Sequence, residues 1–325
     1  MRDEHEQFER PRRRTRPRTK QRPNFDAAPT GTVIRVDRGR LTVEMDEENT
    51  ITAMKARPLG RKAVVVGDRV RIDGDISGAP GTLARIVEII DRTTVLRRTA
   101  DDDDPIERII VANADQMVIV TALADPPPRL GFIDRCLVAA FDAGVRPIVC
   151  LTKADLAPAT EIIASLEPLD VEVVTTQRGG DLTELHAVLA GHDSVFVGHS
   201  GVGKSTLVNA LIPDAARATS HVNEVTGRGR HTSTSAVSLA LPNGGRIIDT
   251  PGVRSFGLAH IDPNHIIAAF PDLEAVVHDC SRGCQHTSTE PECALDDPEL
   301  AHELRPERIL SFRRIMDSRS AADTW

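Results

Sequence analysis

Residues Gly198 to Thr206 read GHSGVGKST and fit G-x-x-x-x-G-K-[ST]. The apolar run "DSVFV" precedes them and the helix-like "TLVNALI" follows, so strand, glycine loop and helix are expected in that order. This stretch confines the chain to an α/β domain built on a largely parallel sheet. Its residue types also say what the loop holds. Gly198, Gly201 and Gly203 free the backbone to wrap an anion with its N–H groups inward, and His199, Ser200 and Val202 complete the turn. The helix start adds positive potential. Lys204 can reach β- and γ-phosphates, and the Ser205 hydroxyl, beside Thr206, can join a Mg²⁺ shell.

Two other segments end apolar runs in the same way. Asp249-Thr250-Pro251-Gly252 follows "RII". A carboxylate there can hold Mg²⁺ through water, and the Gly252 N–H can meet a γ-phosphate. Thr152-Lys153-Ala154-Asp155 follows "RPIVCL". Asp155 can accept from guanine N1–H and the exocyclic amine together, a donor pair adenine lacks, while the Lys153 stem covers the base. The expected ligands are therefore GTP and GDP with Mg²⁺. The order is unusual. Ordinary GTPases place the phosphate loop first and the base motif last, whereas here Thr152 precedes Gly198 and the DTPG segment closes the series. That order implies a circular permutation, with Gly252 leading straight into the C-terminal region.

Alternating strand and helix patterns surround these motifs and assign residues 92–258 to the permuted GTPase domain. "QMVIVTAL", "RPIVCLTKADL", "VEVVTT", "DSVFV" and "RIIDT" read as strands, and "GFIDRCLVAAFDAG", "ATEIIASLEPL" and "GDLTELHAVLAG" as helices. Residues 30–91 instead carry five short Val-, Ile- and Thr-rich runs separated by Gly, Asp and Asn, which suits an OB-fold β-barrel. No aromatic residue lies on those runs, so base stacking has little support there. The run Asp101 to Asp104 reads as a solvated loop.

Charge is distributed unevenly. The chain carries −8 overall, yet residues 1–26 hold nine basic side chains against five acidic ones. Residues 1–29 therefore read as a disordered basic arm suited to an anionic partner such as nucleic acid. With hydrophobic residues at 40% and charged residues at 27%, the rest can build cores. No apolar run approaches the ~18 residues of a membrane span, and the reading is of a cytosolic protein.

Residues 259–325 read as a helical zinc-binding domain. "DPELAHELRPERILSFRRIMDSR" looks helical throughout. Cys280, Cys284, His286 and Cys293 form C-x3-C-x-H-x6-C, and three thiolates with one imidazole suit structural tetrahedral zinc. His278 is a candidate substitute ligand. Cys136 and Cys150 stand alone in apolar surroundings and read as small buried hydrophobes.

A small leading barrel, TKAD before GHSGVGKST before DTPG, "GRGRHTSTS" and a trailing Cys/His cluster together resemble the YjeQ/RsgA family of ribosome-small-subunit-dependent, circularly permuted GTPases, over about residues 30–315. The resemblance implies GTP hydrolysis stimulated by the small ribosomal subunit, late in its maturation, with an OB-fold that touches rRNA and a domain holding one structural zinc; a cytoplasmic monomer that needs no membrane is expected. It also places His231, Thr232 and Thr234 in the γ-phosphate-sensing switch. Three departures stand out. Thr152 replaces the Asn that often opens the base motif, a change expected to weaken a bond that stabilises the loop. Val253 occupies the place of a water-orienting glutamine, so His231 or the partner must supply that group. Both outer cysteine spacings differ by one residue from the family's. Two other functions compete: a nucleotide-regulated RNA-binding protein in which hydrolysis is incidental, and an ATP-using kinase or ATPase, which TKAD opposes.

Overall fold

The computed structural model describes residues 24–37, 39–47, 49–60, 63–98, 108–212, 236–250, 258 and 261–318. The arginines of the arm up to Arg22 and the acidic run Asp101 to Asp104 lie outside them.

Five strands close the N-terminal barrel: β1 (Thr30–Asp37), β2 (Arg40–Met45), β3 (Thr50–Lys55), β4 (Arg69–Asp73) and β5 (Ala84–Ile89). Their order is β1-β2-β3-β5-β4, and β4 returns to pair with β1. Alternate residues point inward, so Val33, Leu41, Val43, Ile51, Val70, Ile72 and Ile86 fill the interior as period-2 patterning requires. At Gly67 the barrel is tied to the segment around Ala112. A Cβ at Gly67 would lie 1.9 Å from the Ala112 carbonyl oxygen, so only glycine permits the approach. Asn113 Nδ2 donates to the Gly67 carbonyl at 2.8 Å, and Arg92 pairs with the fully buried Asp68 at 2.6 Å.

The hairpin β6 (Val95–Arg98) and β7 (Arg108–Ala112) comes next. The sequence reading has only a loop here, because each strand is short and the acidic run separates the two. Beyond it lie β8 (Gln116–Ala122), β9 (Arg146–Thr152), β10 (Glu172–Thr175), β11 (Asp193–Val197), β12 (Val237–Ala240) and β13 (Arg246–Asp249). Their order is β10-β9-β8-β11-β13-β12, parallel except for edge strand β12. Numbered from the strand that enters the phosphate loop, this becomes 2-3-1-4-5-6 read from β12, the arrangement a permutation at that point produces. Helices cover both faces, as buried parallel strands demand. On one side α1 (Leu130–Asp142) and α2 (Thr160–Leu166) pack on Met117, Ile119, Val149 and Val195. On the other, α3 (Thr183–Leu189) and α4 (Lys204–Leu211) pack on Val118, Val120, Ile148 and Phe196. A single pairing of Arg35 with Val237 joins the barrel to β12.

The C-terminal region contains α5 (Pro263–Ile267), α6 (Pro271–Val277) and α7 (Pro306–Ser318). The long helix expected from Asp297 begins only at Pro306, with turns before it. A proline suits the first helical turn and cannot continue a helix arriving from its N-terminal side. These helices share one apolar cluster with α1: Ile266, Phe270, Phe312 and Ile315 pack with Leu137 and Ala140. Phe270 meets Phe141 and Phe312 edge-on at 5.0 and 5.3 Å. Arg308 binds Asp170 at 2.7 Å and Asp272 at 2.5 Å, and Arg314 binds the buried Asp134 at 3.0 Å. Burial raises the Asp134 pKa, against the pull of Arg314. Among the described residues no helix is long and apolar enough to cross a membrane.

Candidate functional site

Sheet register sets the site. Ala122 of β8 pairs with Thr152 of β9, Ile119 of β8 with Val197 of β11, and Phe196 of β11 with Asp249 of β13. The carboxyl ends of four strands thus meet along one edge, where open α/β sheets hold ligands.

From β11 the chain enters Gly198, where a Cβ would stand 2.5 Å from the Val120 carbonyl oxygen. Gly201 and Gly203 take φ of 83° and 93°, which favours glycine at both. Helix α4 starts directly at Lys204. Gly198 to Gly201 and Gly203 to Thr206 line a cavity of about 370 Å³, while Val202 turns into the core. Phe132 of α1 backs the loop, its ring 4.2 Å from that of His199. The Lys204 ammonium binds the Asp249 carboxylate, and both are largely shielded from solvent. The Thr250 hydroxyl donates to the Phe196 carbonyl at 2.9 Å, fixing the start of DTPG against β11.

At the end of β9 the structure departs from the expectation of a weakened loop. Thr152, 6% exposed, donates its hydroxyl to the Val202 carbonyl of the phosphate loop at 2.5 Å. The shorter side chain suffices because Gly203 is close: a Cβ there would be 3.7 Å from Thr152 Oγ1. Lys153 adopts φ 58° and donates Nζ to the Asp125 carbonyl. The Ala154 N–H donates to the Thr176 carbonyl at 3.1 Å. Asp155 is exposed at the mouth of a second cavity of about 350 Å³, which shares Gly201, Gly203 and Thr206 with the first.

That second cavity is also lined by Thr176 to Gly180, the turn between β10 and α3. The sequence reading omits this turn. Its signal is the Gly179-Gly180 pair after a short apolar strand, at the same sheet edge as the other motifs. His231, Thr232, Thr234, Gly252 and Val253 lie outside the described residues.

The cysteine cluster assembles in the C-terminal region despite its altered spacing. The Cys280, Cys284 and Cys293 sulfurs and His286 Nδ1 all lie within 4.8 Å of one another. Nδ1 is 3.7, 3.3 and 3.8 Å from the three sulfurs in turn, and the Cys280 and Cys293 sulfurs are 3.9 Å apart. Thiolates ~2.3 Å from a tetrahedral centre lie ~3.8 Å apart, with an imidazole nitrogen ~3.5 Å from each, so the donor set fits such a centre. His286 turns its ring inward from φ 54°, and the Ala294 N–H donates to the Cys280 sulfur at 3.2 Å. Burial pushes the Cys284 thiol up to about 12 and raises Cys280 too. Deprotonating these two thiols therefore calls for a compensating cation. Burial also lowers the His286 pKa, favouring the neutral ring that metals bind. His278 is exposed at the end of α6 and stands outside the cluster.

Residues 89–259 match the family model described as RsgA GTPase. The small ribosomal subunit biogenesis GTPase RsgA of Pseudomonas syringae pv. syringae is 40% identical over 265 residues, covering 79% of this chain and 75% of that protein. The corresponding RsgA 1 of Vibrio vulnificus is 36% identical over 269 residues, covering 80% and 75%. Among solved structures, YjeQ from Thermotoga maritima superposes with a TM-score of 0.65 at 24% identity, over 90% of this chain and 99% of that one. YloQ, described as a circularly permuted GTPase, gives 0.64 at 24% identity over 91% and 96%. The two structures support the permuted fold, and the sequence relatives extend the likeness across most of the chain.

Proposed function

This chain belongs to the RsgA GTPase family, and from that premise we propose that it binds the small ribosomal subunit and hydrolyses GTP there during late maturation. One observation carries the site reading: the TKAD and GKS segments line two neighbouring cavities that share Gly201, Gly203 and Thr206 in their walls. A base and its phosphates fit that arrangement in a single ligand. Asp155 selects guanine through its two donors, and Lys153, anchored on Asp125, covers the base. The amides of the glycine loop and of the first turn of α4 hold the phosphates. Lys204 exchanges its Asp249 partner for the β- and γ-phosphates and stabilises charge as the terminal bond breaks. Mg²⁺, when bound, neutralises the phosphate oxygens. Ser205 would hold it directly and Asp249 through water. Gly252 and His231 remain the proposed γ-phosphate sensor and water-placing group.

The rRNA attraction is assigned to the basic arm. Residues 30–91 hold ten basic and ten acidic side chains. Arg35, Arg69, Arg71 and Arg85 each pair with a carboxylate, at 2.9, 2.6, 3.2 and 3.0 Å. A barrel surface neutralised in this way offers little net pull on phosphate. The Cys280, Cys284, His286 and Cys293 centre takes one structural zinc, and the protein works as a cytoplasmic monomer.

The test is GTP turnover with purified small and large subunits. The expected result is strong stimulation by the small subunit alone. Equal rates with both, or with neither, would remove the partner. Elemental analysis should return about one zinc per chain.

A further inference from the structure

Arg313 on α7 spans two partners of opposite character. Its Nη1 and Nη2 atoms clasp the two Asp296 oxygens at 2.6 and 2.8 Å. Asp296 closes the short helical turn Ala294–Asp296 that follows Cys293. The guanidinium is also close enough to Cys293 to act on it, and its Nε is buried and meets no partner at bonding geometry. A buried charged donor left unpaired is costly, and the neighbouring group able to accept from it as a strong anion is the Cys293 sulfur. Charge counting gives the same answer from the other side. Three thiolates and a neutral imidazole around a divalent cation leave one net negative charge in a partly buried site. Glu290, close enough to act on His286, adds to it.

Resting on the zinc reading of that cluster, we propose that Arg313 is a positioning residue for the metal centre. Its fixed positive charge offsets the centre's excess negative charge, and its Nε–H steadies the Cys293 thiolate. The bidentate grip of Asp296 aims the guanidinium and also ties the metal loop to α7.

Full-length zinc-loaded protein, titrated with a chromophoric zinc chelator, tests this. Arg313→Gln should weaken zinc retention by about 10–100-fold, the usual range for a group that supports a metal ligand. Arg313→Lys keeps the charge without the second donor and should fall between parent and Gln. Asp296→Asn loosens the clasp but leaves the cation, and should lose clearly less zinc affinity than Arg313→Gln. Zinc affinity within about 2-fold of the parent in Arg313→Gln would overturn the proposal. So would a loss in Asp296→Asn as large as that in Arg313→Gln, since the clasp alone would then explain it. Should Arg313→Gln fail to fold, the other two variants decide: weaker retention in Arg313→Lys than in Asp296→Asn supports the proposal, and the reverse order overturns it. Zinc missing from the purified parent would instead refute the metal reading itself.

Discussion

The nucleotide edge and the metal region are built by different means. Around Gly198 and Thr152 the backbone does most of the placing. Four parallel strands in fixed register bring Asp249, Thr152 and the phosphate loop together, and most residues of those strands are buried. Around Cys280 to Cys293 regular structure amounts to one short helical turn, Ala294–Asp296. There the order comes from sulfur and imidazole donors and from arginines on α7 that grip Asp296, Asp134, Asp170 and Asp272. A sheet edge should therefore survive loss of a functional side chain, whereas the metal region should not survive loss of a ligand.

The largest effect expected is Lys204→Ala. Removing the cation at the β- and γ-phosphates should lower stimulated turnover by about 10²–10³-fold, with little change in melting temperature. A large drop in stability would break the contrast by making Lys204 a structural residue. Cys284→Ser is the opposite case. Zinc should fall from about one per chain to near none, and amides of α5 to α7 should lose exchange protection while β8 and β11 keep theirs. Equal loss in both regions would mean that the shared cluster around Phe270 and Phe312 couples them into one unit.

Thr152→Val sharpens the account of the nucleotide edge. It removes the hydroxyl bound to the Val202 carbonyl and leaves that oxygen unpaired, at a cost of about 1–2 kcal/mol. GTP affinity should fall several-fold while the sheet stays intact. The smallest effect concerns His265 on α5, whose Nδ1 is 2.8 Å from Asp142 on α1. That hydrogen bond raises the histidine pKa above its ordinary value. The stabilisation is then fully present below about pH 6.5 and is lost as pH rises through the higher folded value. His265→Gln should thus cost stability at pH 6 and almost none at pH 8.5. Because the pair is exposed and screened, the difference should stay under ~1 kcal/mol. A pH-independent cost would assign His265 to packing.

Legibility in the sequence divides along the same line. The phosphate loop, TKAD and DTPG are legible because each combines a short motif with an apolar run that fixes its place at a strand end. The ligand types of the metal centre are legible from cysteine spacing, and their convergence is not, since it depends on His286 at φ 54° and on the contacts of Ser288 with Asp317 and of Asp296 with Arg313 on α7. The Thr152 bond escapes because it depends on how closely Gly203 approaches, a distance no motif encodes. The β6–β7 hairpin escapes because strands of four and five residues carry almost no periodicity. The start of α7 is hard to place because charged residues on both sides of Pro306 suit a helix equally well. The packing of Phe312 against Phe270 and α1 has no sequence signal, since those partners are far apart in the chain.

Commitment to guanine through Asp155 at this sheet edge can be measured with Asp155→Asn, small subunits present and GTP or xanthosine triphosphate as substrate. The xanthine 2-oxygen matches the amide donor that asparagine offers, while guanine loses its carboxylate partner. The expected result is a fall in kcat/KM for GTP of about 10–150-fold, the equivalent of about 1.5–3 kcal/mol. Turnover of xanthosine triphosphate should rise above that for GTP. Unchanged GTP kinetics in the variant would move base recognition away from Asp155.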